Sequence, residues 1–194
     1  MRKGVWMMAV LASVSAGAAQ ADTALLAGGC FWCLEHDLKK VEGVTEVVSG
    51  YSGGTIENPT YQNYHDDIPG QEPHVEVVQV TYDPAVIGYA KLLDTYLRKI
   101  DPTDGGGQFC DRGAAYRPVI YVAGEGERAV AEERLAAAAK LLAQPLQVDV
   151  LPARTFWPAE EYHQEYADKN PTRYTYYRWR CGRDAKVKEV WQGR

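Results

Sequence analysis

The sequence predicts a single α+β domain. Strand-like and helix-like segments alternate along the chain, but their spacing is not that of repeated βαβ units, and no internal repeat is present. A chain of 194 residues is also long enough to bury one substantial hydrophobic core. These observations favour one mixed domain over two domains or a repeat protein.

The first 21 residues have the pattern of a secretory signal peptide. Two basic residues open the segment, an apolar run follows at residues 5–12, and the segment ends in the A-x-A pattern of a cleavage site. The run is too short to span a bilayer, and no later segment is long enough either. We expect cleavage after residue 21, a mature domain of residues 22–194, no membrane span and export to the periplasm. An uncleaved anchor is the alternative.

The mature domain begins with a predicted strand, a turn and a helix. The apolar run at residues 23–27 suits a buried strand, and Gly28-Gly29 lets the backbone turn. Leu34, Leu38 and Val41 lie at helical spacing and predict a helix that begins directly after this turn. Cys30 therefore lies in the first turn of the helix, where unpaired N–H groups and the helix dipole are expected to lower the pKa of a thiol.

The remaining elements follow from composition and periodicity. β-branched or alternating apolar segments predict strands at residues 74–82, 119–122 and 146–150. Helical patterns predict helices at residues 83–100, 127–142 and 158–169. Glycine-rich segments predict long loops at residues 49–71 and 104–113, and such loops are often functional. From about residue 172 the chain is aromatic, basic and predicted to be irregular, until Asp184 caps a last short helix that ends at Trp191.

Charge argues against a nucleic-acid-binding protein. The net charge is −5, and it becomes more negative when the basic leader is removed, whereas nucleic-acid binders are usually basic. The segment from Arg173 to the end is an exception, with seven basic residues against two acidic ones. We interpret it as a solvated tail, with a docking surface for an acidic partner as the alternative.

Four cysteines lie in the mature chain, at positions 30, 33, 110 and 181. In an exported protein they could form two structural disulfides, with three possible pairings. A thiol beside two glycines at the start of a helix instead favours a reactive Cys30. Its neighbours Phe31 and Trp32 are either core residues or the walls of a small apolar pocket. Zinc is not expected, because Cys30-x-x-Cys33 lacks a second ligand pair at metal-site spacing.

Glu76 is the second candidate for chemistry. Strand alternation puts it on one face with Val78, Val80 and Tyr82, where loss of hydration raises the pKa of a carboxyl group. A carboxyl group that stays protonated near neutral pH can donate a proton as a general acid. The alternative is a glutamate at the end of a strand that reaches solvent.

Three further candidates, Tyr61, Asp111 and Tyr116, lie in or beside the glycine-rich segments. Any single tyrosine of the thirteen in the chain is more often structural than functional. Residue types alone therefore leave the roles of these three side chains open.

Together these segments resemble the A-type peptide methionine-S-sulfoxide reductases. The match comprises five blocks in the family's order: GCFW at residues 29–32; residues 50–54 with Asn58-Pro59-Thr60-Tyr61; residues 74–78 with Tyr82-Asp83-Pro84; Asp111-x-Gly113-x-x-Tyr116-Arg117; and His163-Gln164-x-Tyr166 with Lys169-Asn170-Pro171. The resemblance runs from about Leu25 to Pro171. GCFW alone would be a weak signal, but five ordered blocks are specific.

The resemblance implies a fold and a reaction. The fold is a two-layer α/β sandwich around a mixed, mainly antiparallel sheet of the ferredoxin-like kind. The Cys30 thiolate would attack the sulfoxide sulfur and Glu76 would protonate the departing oxygen, which leaves methionine and a sulfenic acid on Cys30. Tyr61 and Tyr116 would donate hydrogen bonds as charge develops on that oxygen, and Asp111 would order hydrogen bonds or bound water.

The resemblance also implies a substrate and partners. Phe31 and Trp32 would enclose the S-methyl group of the substrate and select one sulfoxide epimer. The partners would be proteins or peptides that carry methionine-S-sulfoxide and a thioredoxin-like reductant, with no metal and no organic cofactor. We expect a monomer.

A second thiol must convert the sulfenic acid into a disulfide that the reductant can open. Cys181 is the first choice, because it lies on a glycine-containing tail that could swing in. Cys33 is the second choice, because C-x-x-C pairs can close a disulfide, and Cys110 stays open. The chain departs from the family in this respect: Cys33 stands where glycine is common, and the tail is longer, aromatic and basic.

Two other functions remain open on the sequence. A thioredoxin-like oxidoreductase built on Cys30 and Cys33 would need both thiols and would leave Glu76 without a role. An exported binding module stapled by two disulfides would need all four thiols to be paired.

Overall fold

The computed structural model describes residues 21–193, so the predicted leader lies outside the described residues except for its last position. The strands are β1 (Asp22–Ala27), β2 (Val44–Ser52), β3 (Val75–Tyr82), β4 (Gly107–Gln108), β5 (Asp111–Arg112), β6 (Val119–Val122), β7 (Asp149–Pro152) and β8 (Trp157–Pro158). The helices are α1 (Phe31–Leu38), α2 (Tyr89–Leu97), α3 (Glu125–Leu142), α4 (Tyr166–Lys169), α5 (Pro171–Arg180) and α6 (Arg183–Trp191). None of these helices has both the length and the apolar character that a membrane crossing needs.

Six strands form one sheet in the order β7-β6-β1-β3-β2-β8, and β4 and β5 form a separate hairpin. All neighbours in the large sheet are antiparallel except β6 and β7, which are parallel. The four central strands, with α1 after β1 and α2 after β3, have the ferredoxin-like order β6-β1-β3-β2. The prediction of a single α+β domain with a mixed, mainly antiparallel sheet is confirmed.

The main helices cover one face of this sheet. Leu26 in β1 pairs with Val78 in β3 and with Ile120 in β6, and all three side chains are fully buried against α1, α2 and α3. Leu25 and Val77, the neighbours along the strands, belong to a smaller cluster on the opposite face. Alternation along the strands therefore separates two layers, and it directs even-numbered positions of β3 toward the helices.

Several predictions about element boundaries are wrong. The strand predicted at residues 146–150 is β7, which begins only at Asp149, and the predicted loop at residues 104–113 contains β4 and β5. The predicted loop at residues 49–71 starts too early, because its first four residues end β2, which pairs with β3 along its length despite serine and glycine. The helix expected from residue 83 begins only at Tyr89. The helix expected at residues 158–169 is instead a 3₁₀ turn followed by α4, because Glu165 between them has a left-handed backbone with φ of +52.

The prediction of an irregular tail before the last helix is also wrong. The chain after residue 170 forms α5 and α6, which are joined at Gly182 with a φ of +68. Gly182, and not Asp184, is the N-cap residue of α6. The indole N–H of Trp191 donates to the carbonyl of Ile100 at 3.1 Å and holds the end of α6 against the body of the domain. The tail is therefore a folded part of the molecule.

Candidate active site

Cys30 lies at the junction between β1 and α1, as predicted, and it is the N-cap residue of α1. A Cβ atom on Gly28 would lie 2.7 Å from Ile100 Cγ2, and one on Gly29 would lie 2.7 Å from Gln108 Cβ. Gly29 also has a φ of +80, which residues with a side chain rarely adopt. Close packing and backbone geometry therefore both require glycine before the cysteine.

Glu76 reaches the residue that follows Cys30. Its Oε2 accepts a hydrogen bond from the Phe31 N–H at 2.9 Å, and its Oε1 accepts one from the Tyr64 hydroxyl at 3.1 Å. The residue is only 2% exposed, and burial raises its pKa to about 8 although both hydrogen bonds act in the opposite direction. A mostly neutral carboxyl group therefore lies close to the Cys30 thiol at pH 7, on the helix-covered face that alternation predicts.

The expectation of a lowered pKa at Cys30 is wrong for the free protein. Burial raises the pKa of its thiol well above the usual value, and Cys33 and Glu76 act in the same direction. The Cys33 thiol instead has a pKa of about 7, lowered first by its hydrogen bond with Cys30 and then by the positive charges of Arg183 and Arg178. The N-terminus of α1 does not outweigh burial at Cys30, and Cys33 is the more acidic thiol of the pair.

Tyr61 and Tyr116 lie around the same carboxyl group. The Tyr64 hydroxyl is hydrogen-bonded to that of Tyr116 as well as to Glu76. The ring of Tyr61 lies over the ring of Tyr64, with 6.0 Å between the centroids. Burial raises the pKa of both the Tyr61 and the Tyr116 hydroxyls, so both remain protonated donors near neutral pH.

Asp111 completes the group of predicted catalytic residues. Its carboxylate accepts hydrogen bonds from the backbone N–H of Cys30 and from the Tyr177 hydroxyl at 2.5 Å. Burial raises the pKa of Asp111, while these two bonds lower it. Tyr177 is also hydrogen-bonded to the Cys30 thiol. The structure thus brings Cys30, Glu76, Tyr61, Tyr116 and Asp111 together in one site.

Phe31 and Trp32 belong to a fixed aromatic cluster beside the thiol. Trp32 stacks on Tyr166 with 3.6 Å between ring centroids, and its indole N–H donates to Nδ1 of His163 at 3.0 Å. Phe31 contacts the same His163 ring at 5.0 Å and the Tyr51 ring at 5.9 Å. Burial lowers the pKa of His163 and keeps its ring neutral. This cluster can form a rigid apolar wall for a small substrate group.

Comparison with known proteins decides which chemistry this arrangement serves. A sequence model of the family described as peptide methionine sulfoxide reductase matches residues 22–194. The chain belongs to the peptide methionine sulfoxide reductase family. Its reaction is the reduction of methionine sulfoxide, and the protein is an oxidoreductase.

Individual relatives agree with the family match. Peptide methionine sulfoxide reductase MsrA 2 of Caulobacter vibrioides is 50% identical over 177 residues, which cover 91% of this chain and 88% of the relative. The crystal structure of Mxr1 from Saccharomyces cerevisiae in reduced form matches with a TM-score of 0.69 and 29% identity, over 79% of this chain and 87% of that chain. Methionine sulfoxide reductase A of Corynebacterium diphtheriae matches with a TM-score of 0.66 and 30% identity, over 80% and 77%. These relatives support the A-type assignment and the fold.

The cysteines of this reductase are divided into two pairs. Cys110 and Cys181 form a disulfide with Cα atoms 4.9 Å apart, whereas Cys30 and Cys33 are free thiols. The disulfide joins the turn between β4 and β5 to the end of α5. The two free thiols contradict the stapled binding module, which needs all four cysteines to be paired. The first-choice resolving residue, Cys181, is thus bonded to Cys110, and the second choice lies beside Cys30.

Sequence reasoning missed three side chains of the reductase site, namely Tyr64, His163 and Tyr177. Tyr64 lies in a long loop, where no periodicity distinguishes one tyrosine from the next. His163 lies in a motif block that carried the family resemblance, but nothing in the block gave it a role. Tyr177 lies on α5, and its spacing of three residues from the buried Tyr174 was a helical signal in a segment predicted to be irregular.

Proposed function

We propose that Cys30 attacks the sulfur of methionine sulfoxide and that Glu76 is the acid that protonates the sulfoxide oxygen. The Cys30 thiol loses its proton to solvent and the thiolate attacks the sulfoxide sulfur; the proton of Glu76 passes to the oxygen, and the oxygen ends as a hydroxyl group on the Cys30 sulfur while methionine is released. The substrate sulfur is reduced by two electrons, and the Cys30 sulfur is oxidised by two electrons to a sulfenic acid. Glu76 then regains its proton from solvent.

The contact between Glu76 and the N–H of Phe31 carries this proposal. It fixes a buried, mostly neutral carboxyl group at the first residue of α1, directly after the attacking thiol. Tyr61 and Tyr116 supply hydroxyl donors as negative charge develops on the oxygen. Asp111 holds the backbone of Cys30 in place.

The aromatic cluster supports a role in substrate selection. Phe31 and Trp32 would surround the S-methyl group, and the hydroxyl donors on the other side would fix the oxygen. Only one arrangement of methyl group, oxygen and side chain around the sulfur satisfies both, so one epimer is selected, and the family resemblance implies that it is the S epimer. Methionine sulfoxide in peptides and proteins is the proposed substrate.

The contacts of the free thiols support Cys33 as the resolving residue. Cys33 lies on α1 one turn from Cys30, and the two thiols are hydrogen-bonded to each other. Cys181 would first have to leave its bond with Cys110. The proposed product is a Cys30–Cys33 disulfide, and the Cys110–Cys181 disulfide has the separate role of fastening the C-terminal helices.

A thioredoxin-like dithiol protein is the proposed reductant, with no prosthetic group. Mxr1 of S. cerevisiae, whose reduced form has the same fold as this chain, has also been solved in complex with Trx2. The signal-like pattern of residues 1–21 supports export, and the proposed location is the periplasm of a two-membrane bacterium. There the enzyme would act as a monomer on oxidised envelope proteins.

Mass mapping of the disulfide after one turnover tests these assignments. Protein with free Cys30 and Cys33 is mixed with one equivalent of a peptide that carries methionine-S-sulfoxide, without a reductant. We expect one methionine per chain, a new Cys30–Cys33 link and no methionine from Cys30→Ser or from the R-sulfoxide peptide. A Cys30–Cys181 link would show that the tail cysteine resolves, and absence of methionine from the wild type would contradict the proposal.

A further inference from the structure

The structure assigns a role to the C-terminal helix α5: Tyr174 and Arg178 hold Cys33 as a thiolate that is ready to attack the Cys30 sulfenic acid. This inference rests on the proposed function, in which Cys33 is the resolving thiol. Tyr174 is the group that touches the reacting sulfur, and Arg178 is a positioning residue that acts through Tyr174.

Tyr174 lies directly against Cys33 beneath α5. The residue is 4% exposed and shares a buried cluster with Cys33, Tyr166 and Ala167. Its hydroxyl group is hydrogen-bonded to the Cys33 side chain.

Arg178 determines the direction of that hydrogen bond. Its Nη1 donates to the Tyr174 hydroxyl oxygen at 2.8 Å. A guanidinium group has donors only, so the Tyr174 oxygen must be the acceptor of this bond. The single hydroxyl hydrogen of Tyr174 is then directed to the sulfur of Cys33. A donor at this sulfur stabilises the thiolate and not the thiol.

Carboxylates on two other helices hold the guanidinium of Arg178 in this position. Asp37 on α1 lies 2.9 Å from Nη1 and accepts from Nη2 at 3.2 Å. Asp184 on α6 accepts from Nε at 3.0 Å. Three helices therefore meet at one cation, and the donor chain from Arg178 through Tyr174 to Cys33 is in place before the reaction begins. A preorganised donor stabilises charge without reorganisation.

The other groups that face Cys33 favour the same charge state. The titratable and charged groups around it, from α1, β3, α5 and α6, are Cys30, Glu76, Tyr174, Tyr177, Arg178 and Arg183. Both arginines are positive, and the carboxyl group among them is mostly neutral at pH 7. The Cys33 pKa of about 7 agrees with the donor chain.

The reaction step that this arrangement serves is disulfide formation. The Cys33 thiolate attacks the sulfur of the Cys30 sulfenic acid, an S–S bond forms, the S–O bond breaks, and the hydroxide takes a proton from solvent and leaves as water. With a pKa of about 7, about half of Cys33 is thiolate at pH 7. Without the donor chain the fraction would fall about fivefold, because a hydrogen bond to an ion contributes about one pKa unit.

Substitutions on α5 test the inference, with matched controls on the exposed side of the same helix. Tyr174→Phe removes the hydroxyl donor, Arg178→Met removes the positioning cation, and Arg178→Lys retains a positive donor. Tyr176→Phe and Arg180→Met are the controls, since both residues are exposed. The measurement is the rate of Cys30–Cys33 disulfide formation against pH, after one equivalent of methionine-S-sulfoxide peptide.

In Tyr174→Phe and Arg178→Met we expect the midpoint of this pH profile to rise by about one unit and the rate at pH 7 to fall about fivefold. The first methionine is still released in both variants, Arg178→Lys recovers part of the rate, and the controls match the wild type. A titration of thiolate ultraviolet absorbance in the wild type, with Cys33→Ser as the blank, gives a second measurement that needs no α5 variant. It should have a midpoint near 7.

Several results would overturn the inference. An unchanged midpoint in folded Tyr174→Phe, or a wild-type thiolate midpoint near the ordinary cysteine value, would show that α5 does not activate Cys33. A mapped Cys30–Cys181 link would remove its basis. Absence of methionine from the wild type would contradict the proposed function itself, whereas normal methionine release with an unchanged Tyr174→Phe profile would contradict only the inference.

Discussion

Glu76 illustrates how burial turns an ordinary side chain into an acid suited to this reaction. With a pKa of about 8, it is protonated roughly ten to one at pH 7. The two hydrogen bonds that it accepts, from Phe31 N–H and Tyr64, favour the charged form but do not offset its loss of hydration. A proton is therefore present where the sulfoxide oxygen has to gain one.

Replacement of this carboxyl group should slow release of methionine. Glu76→Gln keeps the size of the side chain and an acceptor for the Phe31 N–H but removes the acid, so we expect first-turnover methionine formation to fall by about 10² or more at pH 7. In the wild type the rate should decline as pH rises through about 8, because the acid loses its proton there. Rapid-quench kinetics against pH measures both effects. A decline that persists unchanged in Glu76→Gln would assign it to another group.

The indole of Trp32 gives a prediction about substrate binding. Trp32→Phe keeps an aromatic ring but removes the N–H that bonds His163 and part of the stack on Tyr166. We expect kcat/KM for the S-sulfoxide peptide to fall about tenfold, mainly through KM, because about 1–2 kcal/mol of contact with the substrate methyl group is lost. Steady-state kinetics with both epimers measures the change. An effect confined to kcat would instead place Trp32 in the chemical step.

Single residues differed in how well the sequence predicted them. The positions of Cys30 and Glu76 were predictable. The junction between a strand and a helix places Cys30, and the alternation of side chains along a strand sets the face on which Glu76 lies. The direction of the Cys30 pKa was not, because it depends on how deeply neighbouring elements bury the thiol. Tyr64 was not predictable either, since its contact with Glu76 depends on the path of a loop without periodicity.

The turn between β1 and α1 is the element on which the site depends, because it places the thiol. Gly29 has both a positive φ and no room for a Cβ atom next to Gln108. The donor chain to Cys33 depends in the same way on α5, an element whose position is set by contacts with α1 and α6. Both elements act by fixing a sulfur in place.

A methyl group at this turn should damage both folding and activity. Gly29→Ala forces a strained backbone and a clash with Gln108, so we expect unfolding free energy to fall by about 1–3 kcal/mol and activity to fall with it. Gly124→Ala is the matched control, because the backbone of Gly124 is extended and has open space around it. Urea denaturation of both variants measures the difference. Equal stability of the two would contradict the structural argument.

Strands and helices were predictable where the pattern of apolar residues on one face is enough to identify the element. The strands β1, β3 and β6 and the helix α3 have clear apolar or alanine-rich patterns, and the structure contains them within about two residues of the predicted ends. The strand β2 was not predicted, because pairing with β3 and not its own composition holds it. The helix α5 was missed because its buried face is made of tyrosines, which also suit irregular structure.

For the whole molecule, the disulfide between Cys110 and Cys181 links the C-terminal helices to the β4–β5 turn across 71 residues of chain. The ferredoxin-like strand order could not be derived from composition or periodicity, since neither specifies which strands are neighbours. It followed only from the resemblance of motif blocks, and the tail lay beyond those blocks. The part of the molecule that the sequence described least well is therefore the part held by this covalent bond.

Removal of the disulfide should lower stability without preventing the first turnover. We expect the Cys110→Ser/Cys181→Ser double variant to lose about 2–4 kcal/mol of unfolding free energy, because its unfolded chain is no longer restricted by the cross-link. The first methionine should still be released, since Cys30 and Glu76 are untouched. Denaturation with and without a thiol reductant provides the control: the reductant should destabilise the wild type but not the double variant. A variant as stable as the wild type would mean that the bond does not fasten the tail.

Cys30 is 6% exposed and lies against Tyr177 of α5, so this helix covers the reactive sulfur. Only a methionine on a flexible segment of polypeptide can extend its side chain to a sulfur at this depth. A methionine sulfoxide buried in a folded substrate protein becomes accessible only when that protein opens locally. We expect the enzyme to reduce methionine sulfoxide first at termini, in surface loops and in unfolded chains, and last in the interiors of folded substrate proteins.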